Sequence, residues 1–331
     1  MTNRKPLKEK LMFKKLLMAA SLSSMTVLAG FSSSLALAAA PMAKTPAPGY
    51  FRVMLGAFEV TPISDGTVEL QVEKLLAQPV AATNHALSKV FLMTPLETSV
   101  NAFVVNTGTK LILIDAGAGS LFGPTLGKLI ANLKASGYEP SQIDDVFITH
   151  LHPDHVGGIT ANGELLFPNA IIHVDQHDVD YWLSKENLDK APADQKGMFQ
   201  GAMASLNPYI SAKKLVPFNG NTEFMPGVRA YSSYGHTLGH TVYEVESKEQ
   251  KLIFIGDLIH VGGVQFAHPE VTIEFDTNQK EAAAARERVF NEAAKDGVLI
   301  GAAHIQFPGL GHLQKDKKGY EWVPVNFTQM H

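Results

Sequence analysis

The stretch "THLHPDHVGG", Thr149 to Gly158, holds three histidines and an aspartate within six residues. Imidazole nitrogens and carboxylate oxygens are the donors that divalent cations take in the absence of thiolates, and a polar loop with locally bonded histidines has no need of this density. In an extended chain, residues two apart point to the same side, so His150 and His152 can reach one cation together. Pro153 lacks an amide hydrogen and fixes φ, which stops a strand. Asp154 and His155 then leave in a new direction and can serve a second cation. Gly157 and Gly158 permit close backbone packing.

Short alternating apolar segments that end in Gly, Asn or Asp predict the strands that must position this loop. "YFRVMLGAFEVTPISDG", "TVELQVEKLL", "NAFVVNTG" and "KLILIDAGAG" precede it, and "IDDVFITH" delivers it. "AIIHVDQ", "VRAYSSYGHT", "HTVYEVE" and "KLIFIGDLIH" follow. Helices are expected over "PTLGKLIANLKASGY", from Pro124 to Gly137, and over "NQKEAAAARERVFNEAAKDG", which ends at Gly297 and feeds "VLIGAAH". The segment from about Asp178 to Lys213 mixes helical stretches with Pro192, Gly197 and Pro208, and reads as a long excursion over the surface. Two similar halves of strands then helix, without an internal boundary, predict an α/β fold layered as a four-layer αββα sandwich.

"HLHPDH" resembles the signature of the metallo-β-lactamase superfamily, whose αββα fold the pattern of elements already suggests. "YGHTLGHT" is similar to the family's second block, which implies His236 as the partner of His150 and His152 at one ion and gives His240 a supporting role. "FIGDLI" is similar to the third block and implies that Asp257 bridges two ions; a bare carboxylate ending an apolar strand is otherwise costly. "GAAHIQFPGLGH" implies that His304, rather than His312, joins Asp154, His155 and Asp257 at the second ion. Asp115, in "LILIDAG", resembles the carboxylate that orients a ligand imidazole. The implied cofactors are two divalent metal ions, zinc first, with manganese, cobalt or iron as alternatives. Two ions about 3.5–4 Å apart would share a hydroxide, water's pKa falling towards about 7, and Asp154 or Asp257 can shuttle a proton to the leaving group. The reaction class is metal-assisted hydrolysis.

Over most of the chain beyond the N-terminal segment, "LFGPTLGKL", "NLDKAP", "GAMASLNPY", "VQF" and "FPGLGH" look like the methyl parathion hydrolase group, whose members and relatives hydrolyse phosphotriesters, lactones and aryl esters. Phe122 and Trp182 fall at positions matching that group's aromatic pocket and suit an aryl leaving group. Other pocket positions depart from the phosphotriesterase pattern: Leu75 replaces arginine, Met198 replaces phenylalanine, and His260 and Phe275 replace leucine. Such a pocket has less room for a tetrahedral phosphotriester than for a planar lactone or ester, so a lactonase or arylesterase is expected, with phosphotriester hydrolysis incidental. The alternatives are a phosphotriester hydrolase proper and a non-catalytic zinc-binding protein. The resemblance also implies a homodimer.

Arg4, Lys5, Lys8, Lys10, Lys14 and Lys15 precede the apolar run "LLMAASLSSMTVLAGF" and a small-residue site near Ala38, the pattern of a secretory signal peptide. Residues 1–38 are therefore expected to be removed, residues 39–50 to form a flexible proline-rich segment, and 51–331 to form the hydrolase domain, periplasmic or secreted. Loss of 1–38 takes away six basic side chains and Glu9, moving the formal charge from −4 to −9. With no basic cluster, nucleic acid is excluded as a partner, and no stable membrane anchor is expected after processing. The chain has no cysteine. That rules out disulfides and the cysteine-bearing form of this family's second metal site, so β-lactam hydrolysis is disfavoured.

Overall fold

A computed structural model describes residues 40–316 and 318–327; the expected signal peptide lies outside them. Residues 40–48 are exposed and carry neither helix nor strand. No described helix is long and apolar enough to cross a membrane.

The unit that begins at Ala47 is built on two seven-stranded sheets. In chain order, the first contains Val53–Leu55 (β1), Phe58–Leu70 (β2), Leu96–Asn106 (β3), Leu111–Ile114 (β4) and Asp145–Phe147 (β5). A hairpin of Thr160–Ala161 (β6) and Glu164–Leu165 (β7) intervenes before Ile171–Asp175 (β8) and Leu215–Phe218 (β9) complete that sheet. The second holds Thr222–Met225 (β10), Val228–Ser232 (β11), Thr241–Ser247 (β12), Gln250–Phe254 (β13), Leu299–Gly301 (β14), Leu310–Asp316 (β15) and Gly319–Pro324 (β16) in that spatial order. β4, β5, β8 and β9 run parallel, as do β13 and β14; the other pairs are antiparallel.

β4 shows why the layers form. All four of its residues are buried. Ile112 and Ile114 enter the core between the sheets beside Phe103, Phe147, Tyr243 and Phe254, whereas Leu111 and Leu113 face outward onto Leu129, Leu133, Phe199 and Leu206. A strand covered on both faces reads as an unbroken apolar run. The helix Gln279–Asp296 covers the second sheet through Ala285, Val289, Phe290 and Ala293. It starts where the Asn278 side chain accepts from the Glu281 amide and stops at Gly297, which takes the left-handed conformation (φ 64°). The αββα sandwich follows.

Several element boundaries differ from expectation. β2 continues through Gly66 as one 13-residue strand with a bulge, where two strands were expected. The helix after Pro124 is confined to Leu129–Ala135. β5 ends at Phe147, so His150 and His152 lie beyond the strand, and Pro153 opens a short helix, Pro153–Val156, at the position where its missing amide costs nothing. The excursion after Asp178 is helical: Gln176–Trp182, Lys185–Lys190 and Lys196–Ser211. It is also not superficial, because Trp182, Phe199, Ala202, Leu206 and Tyr209 pack into the outer core.

Gly157 and Gly158 press on the turn after β4. A Cβ on Gly158 would stand 1.9 Å from the Ala116 carbonyl oxygen, and one on Gly157 2.3 Å from that of Ala118. Gly158→Ala is therefore expected to destabilise the protein by about 1–3 kcal/mol through overpacking. A lower thermal unfolding midpoint in the metal-free chain checks this; an unchanged midpoint refutes it.

Candidate metal centre

The site lies where strands end: Asp115 follows β4, His150, His152, Asp154 and His155 follow β5, His236 follows β11, Asp257 follows β13 and His304 follows β14. Two donor groups result. His150, His152, His236 and Asp257 place one ligand atom each within 4.8 Å of one another, and so do Asp154, His155, Asp257 and His304.

Asp257 belongs to both groups because its two oxygens face opposite ways. Oδ2 stands 3.6 Å from His150 Nε2 and 3.3 Å from His236 Nε2. Oδ1 stands 3.0 Å from His155 Nε2 and 3.1 Å from His304 Nε2. Asp154 Oδ2 completes the second group at 3.4 Å from His304 Nε2 and 3.7 Å from His155 Nε2. In the first, His152 Nδ1 and His236 Nε2 converge to 3.0 Å.

In His150, His155, His236 and His304 the inward nitrogen is aimed by the engagement of the outward one. His155 Nδ1 donates to Asp115 Oδ2 at 2.8 Å. Thr149 Oγ1 donates to the same oxygen at 2.9 Å and so accepts from His150 Nδ1 at 3.0 Å. His236 Nδ1 donates to Asp276 Oδ1 at 2.8 Å, and His304 Nδ1 to the Ser99 carbonyl at 2.9 Å. Buried polar atoms normally find partners, yet His150 Nε2, His155 Nε2 and Asp257 Oδ1 make no hydrogen bond among the described residues. Pre-aimed, dry and unpaired nitrogen and oxygen donors fit divalent cations.

Other expected residues fall into place unevenly. His240 supports the centre: its Nε2 accepts the Asp257 amide at 3.0 Å, and its Nδ1 lies 2.7 Å from Ser233 Oγ. Gly256 makes this approach possible, since a Cβ there would lie 2.7 Å from that Nε2. His312 is exposed, its Nδ1 3.1 Å from the Gly297 carbonyl, and takes no part. Trp182 is buried edge-on to His152, with ring centroids 5.2 Å apart. His260 is buried, its Nε2 3.0 Å from Asp257 Oδ2, and Phe275 stands 6.0 Å from it ring to ring. Leu75 pairs through its carbonyl with the Glu274 amide, next to Phe275. Met198 is half-buried against the cluster of Trp182 and Phe199. Phe122 is 41% exposed and stacks on none of the site's rings. Asp276, Thr149 and Ser99 were not anticipated.

The model of the metallo-beta-lactamase superfamily matches residues 96–304, a span that includes every residue of both donor groups. The chain belongs to this superfamily. Among solved structures it is similar to the hydrolase AbOPH of the beta lactamase superfamily, at 36% identity and a TM-score of 0.82 over 86% of this chain and 100% of that one. It is also similar to AidC, a dizinc quorum-quenching lactonase in complex with the product N-hexanoyl-L-homoserine, at 28% identity and a TM-score of 0.78 over 85% and 99%. The N-acyl homoserine lactonase AiiA of Bacillus thuringiensis subsp. kurstaki is 27% identical over 128 residues, which are 39% of this chain and 43% of that protein. This chain thus matches less than half the length of that curated relative. Family and donor set agree with each other, and the similar proteins include quorum-quenching lactonases.

Protonation in the metal-free chain follows from burial and neighbours. Burial holds His150 and His152 well below the ordinary histidine range. Burial acts the same way on His155 and His236, but carboxylates outweigh it: Asp257 and Asp115 carry His155 well above its usual value, and Asp257 and Asp276 bring His236 to about 9. Burial alone would raise Asp257, yet His155, His304 and His260 drive it well below the carboxylate range. An incoming cation must therefore displace protons from His155 and His236.

Two outcomes are expected. Zinc affinity, measured by titration against a competing chelator, should fall as pH drops below about 9, by roughly tenfold per unit for each proton displaced; a pH-independent affinity would contradict the protonation scheme. Asp257→Ala should abolish binding at both subsites, seen as a loss of two bound cations per chain by elemental analysis. Retention of either cation would remove Asp257 from its shared position.

Proposed function

We propose that the protein opens lactones or cleaves aryl esters at a binuclear centre held by His150, His152 and His236 on one side, Asp154, His155 and His304 on the other, and Asp257 between them. When bound, two divalent cations supply Lewis acidity at the substrate carbonyl and a water acid enough to ionise near neutral pH. Zinc is the first candidate, given a donor set of nitrogen and oxygen alone.

The protein's own residues do the rest. Asp257 keeps the two donor groups in register. Asp154, the least buried member, has 21% of its side chain exposed, and this lets it carry a proton between the site and solvent or leaving group. Trp182 and Phe275 wall the approach and favour a flat, partly apolar substrate.

The observation that carries the choice of substrate is His260. A buried imidazole 3.0 Å from Asp257 Oδ2, with Phe275 packed 6.0 Å beyond it, takes up the space beside the shared carboxylate. A planar carbonyl group fits against such a wall more readily than a phosphorus centre with three bulky substituents. AidC, whose structure contains a lactone-derived product, supports the same reading. An N-terminus with basic residues ahead of an apolar run supports action in the periplasm or outside the cell, and homodimerisation belongs to the same proposal.

The test compares kcat/KM of the zinc-loaded protein on dihydrocoumarin and on methyl parathion. Lactone turnover faster by several orders of magnitude is expected, and the double variant His260→Leu with Phe275→Leu should narrow that ratio. Faster phosphotriester turnover by the unmodified protein would make it an organophosphate hydrolase instead.

A further inference from the structure

Arg286 has the largest fully buried side chain among the described residues, on a helix whose other buried positions are Ala282, Ala285, Val289, Phe290 and Ala293. Taking a guanidinium out of water costs several kcal/mol unless its donors are matched, and helix packing alone would be served by methionine or leucine. The arginine's donors run towards the metal centre. Nε donates to the carbonyl of Leu258, the residue after Asp257. Nη1 donates to the carbonyls of Pro269 at 2.7 Å and Val271 at 2.8 Å, in the segment that leads to Phe275. Nη2 has no hydrogen-bond partner among the described residues and stands 3.9 Å from Asp276 Oδ2.

Asp276 in turn is held on both oxygens. Oδ2 accepts the Ile273 amide at 3.1 Å, and Oδ1 accepts His236 Nδ1 at 2.8 Å. The backbone repeats the link, because the Thr277 amide donates to the His236 carbonyl and the Asn278 amide to that of Gly235. One side chain therefore bonds the turn of Asp257 and the segment ahead of Phe275, and sets its charge 3.9 Å from the carboxylate that aims His236.

We propose that Arg286 is a positioning residue for the metal centre, acting on His236 through Asp276 and on Asp257 through the Leu258 carbonyl. This rests on the reading of His236 and Asp257 as metal ligands. Arg286 touches neither cation nor substrate. It holds two donors of one subsite in a fixed relation, a role for which partners of metal-ligating histidines typically matter by about 10- to 100-fold in affinity.

The experiment measures divalent-cation affinity by chelator competition and the absorption spectrum of the cobalt-loaded protein. It compares the unmodified chain with Arg286→Met, Arg286→Lys and Asp276→Asn, and with Ala285→Gly as a variant that weakens the same helix without touching the network. Arg286→Met should lose about 10- to 100-fold in affinity for one of the two cations and shift the cobalt spectrum. Asp276→Asn should do the same to a similar or smaller degree, and the double variant should lose less than the two losses combined. Ala285→Gly should lower the unfolding midpoint and leave affinity and spectrum alone. If Arg286→Met fails to fold, Arg286→Lys, which keeps the charge but not the fork of donors, carries the same expectation. Arginine variants that lose only thermal stability would overturn the proposal. An unmodified chain that takes up no divalent cation would overturn the metal-centre reading, and this proposal with it.

Discussion

A neutral histidine offers a cation the lone pair of one ring nitrogen while the other carries the proton, and an acceptor for that N–H fixes both the tautomer and the aim of the ring; this fold is arranged around supplying those acceptors. Asp115 does so twice. It receives His155 directly and His150 through the Thr149 hydroxyl, so one carboxylate aims a donor at each of the two subsites. It takes up a left-handed conformation (φ 56°) at the end of β4, which aspartate tolerates better than most side chains. It also accepts the Thr149 amide, pinning the loop after β5 to the strand beside it. The acceptors for His236 and His304 come from other parts of the chain, Asp276 ahead of the last helix and Ser99 in β3. The site exists only when both sheets are assembled.

This arrangement has an electrostatic cost. Imidazoles crowd together at centroid separations down to 4.1 Å for His150 and His155, both buried. Without cations, their mutual repulsion is countered mainly by Asp257, which is why that carboxylate is held ionised despite complete burial. A bound pair of divalent ions would replace those opposed pKa shifts with direct coordination, and ligand binding to the folded state alone adds stability. For a chain with no cysteine to cross-link it, that contribution is a natural substitute for disulfides.

The members of the two donor groups were legible in the sequence because the pattern that marks them is local. His150, His152, Asp154 and His155 lie within six residues, and His236, Asp257 and His304 each sit in a short block ending an apolar strand. The αββα layering was legible for the same reason, from runs such as "LILI" buried on both faces. What was not legible depends on separation in sequence. Asp276 lies 40 residues from His236, Ser99 205 from His304, and Arg286 28 from Leu258, and no local pattern ties them. Alternation also overstated the strands: β5 stops at Phe147 because the histidine loop must leave the sheet to reach the centre. The helix Val80–Lys89 escaped notice because Thr83 and Leu87 are its only buried residues and its apolar stripe is correspondingly thin.

The donor groups and the side chains expected to line a pocket are carried by different kinds of element, and this separates what is fixed from what can change. The residues of the two donor groups sit just past strand ends, and His150, His155, His236 and His304 are held there by buried hydrogen bonds. Trp182 belongs to a helix, Met198 to another, and Phe122 to a loop whose tie to the body is the Asp65 carboxylate, which accepts the Ala118, Gly127 and Leu129 amides. Changes at Met198 or Phe122 leave the hydrogen bonds of the donor groups alone, as expected where a rigid scaffold presents variable segments, whereas Trp182 stands edge-on to His152 with ring centroids 5.2 Å apart. His260 is tied to the donor groups more closely still. It follows Asp257 by three residues, touches its carboxylate and stacks on His304 with rings 5.2 Å apart and 18° from parallel. A change there alters the wall and the donors together, so His260 is the position at which substrate shape and metal geometry are not independent.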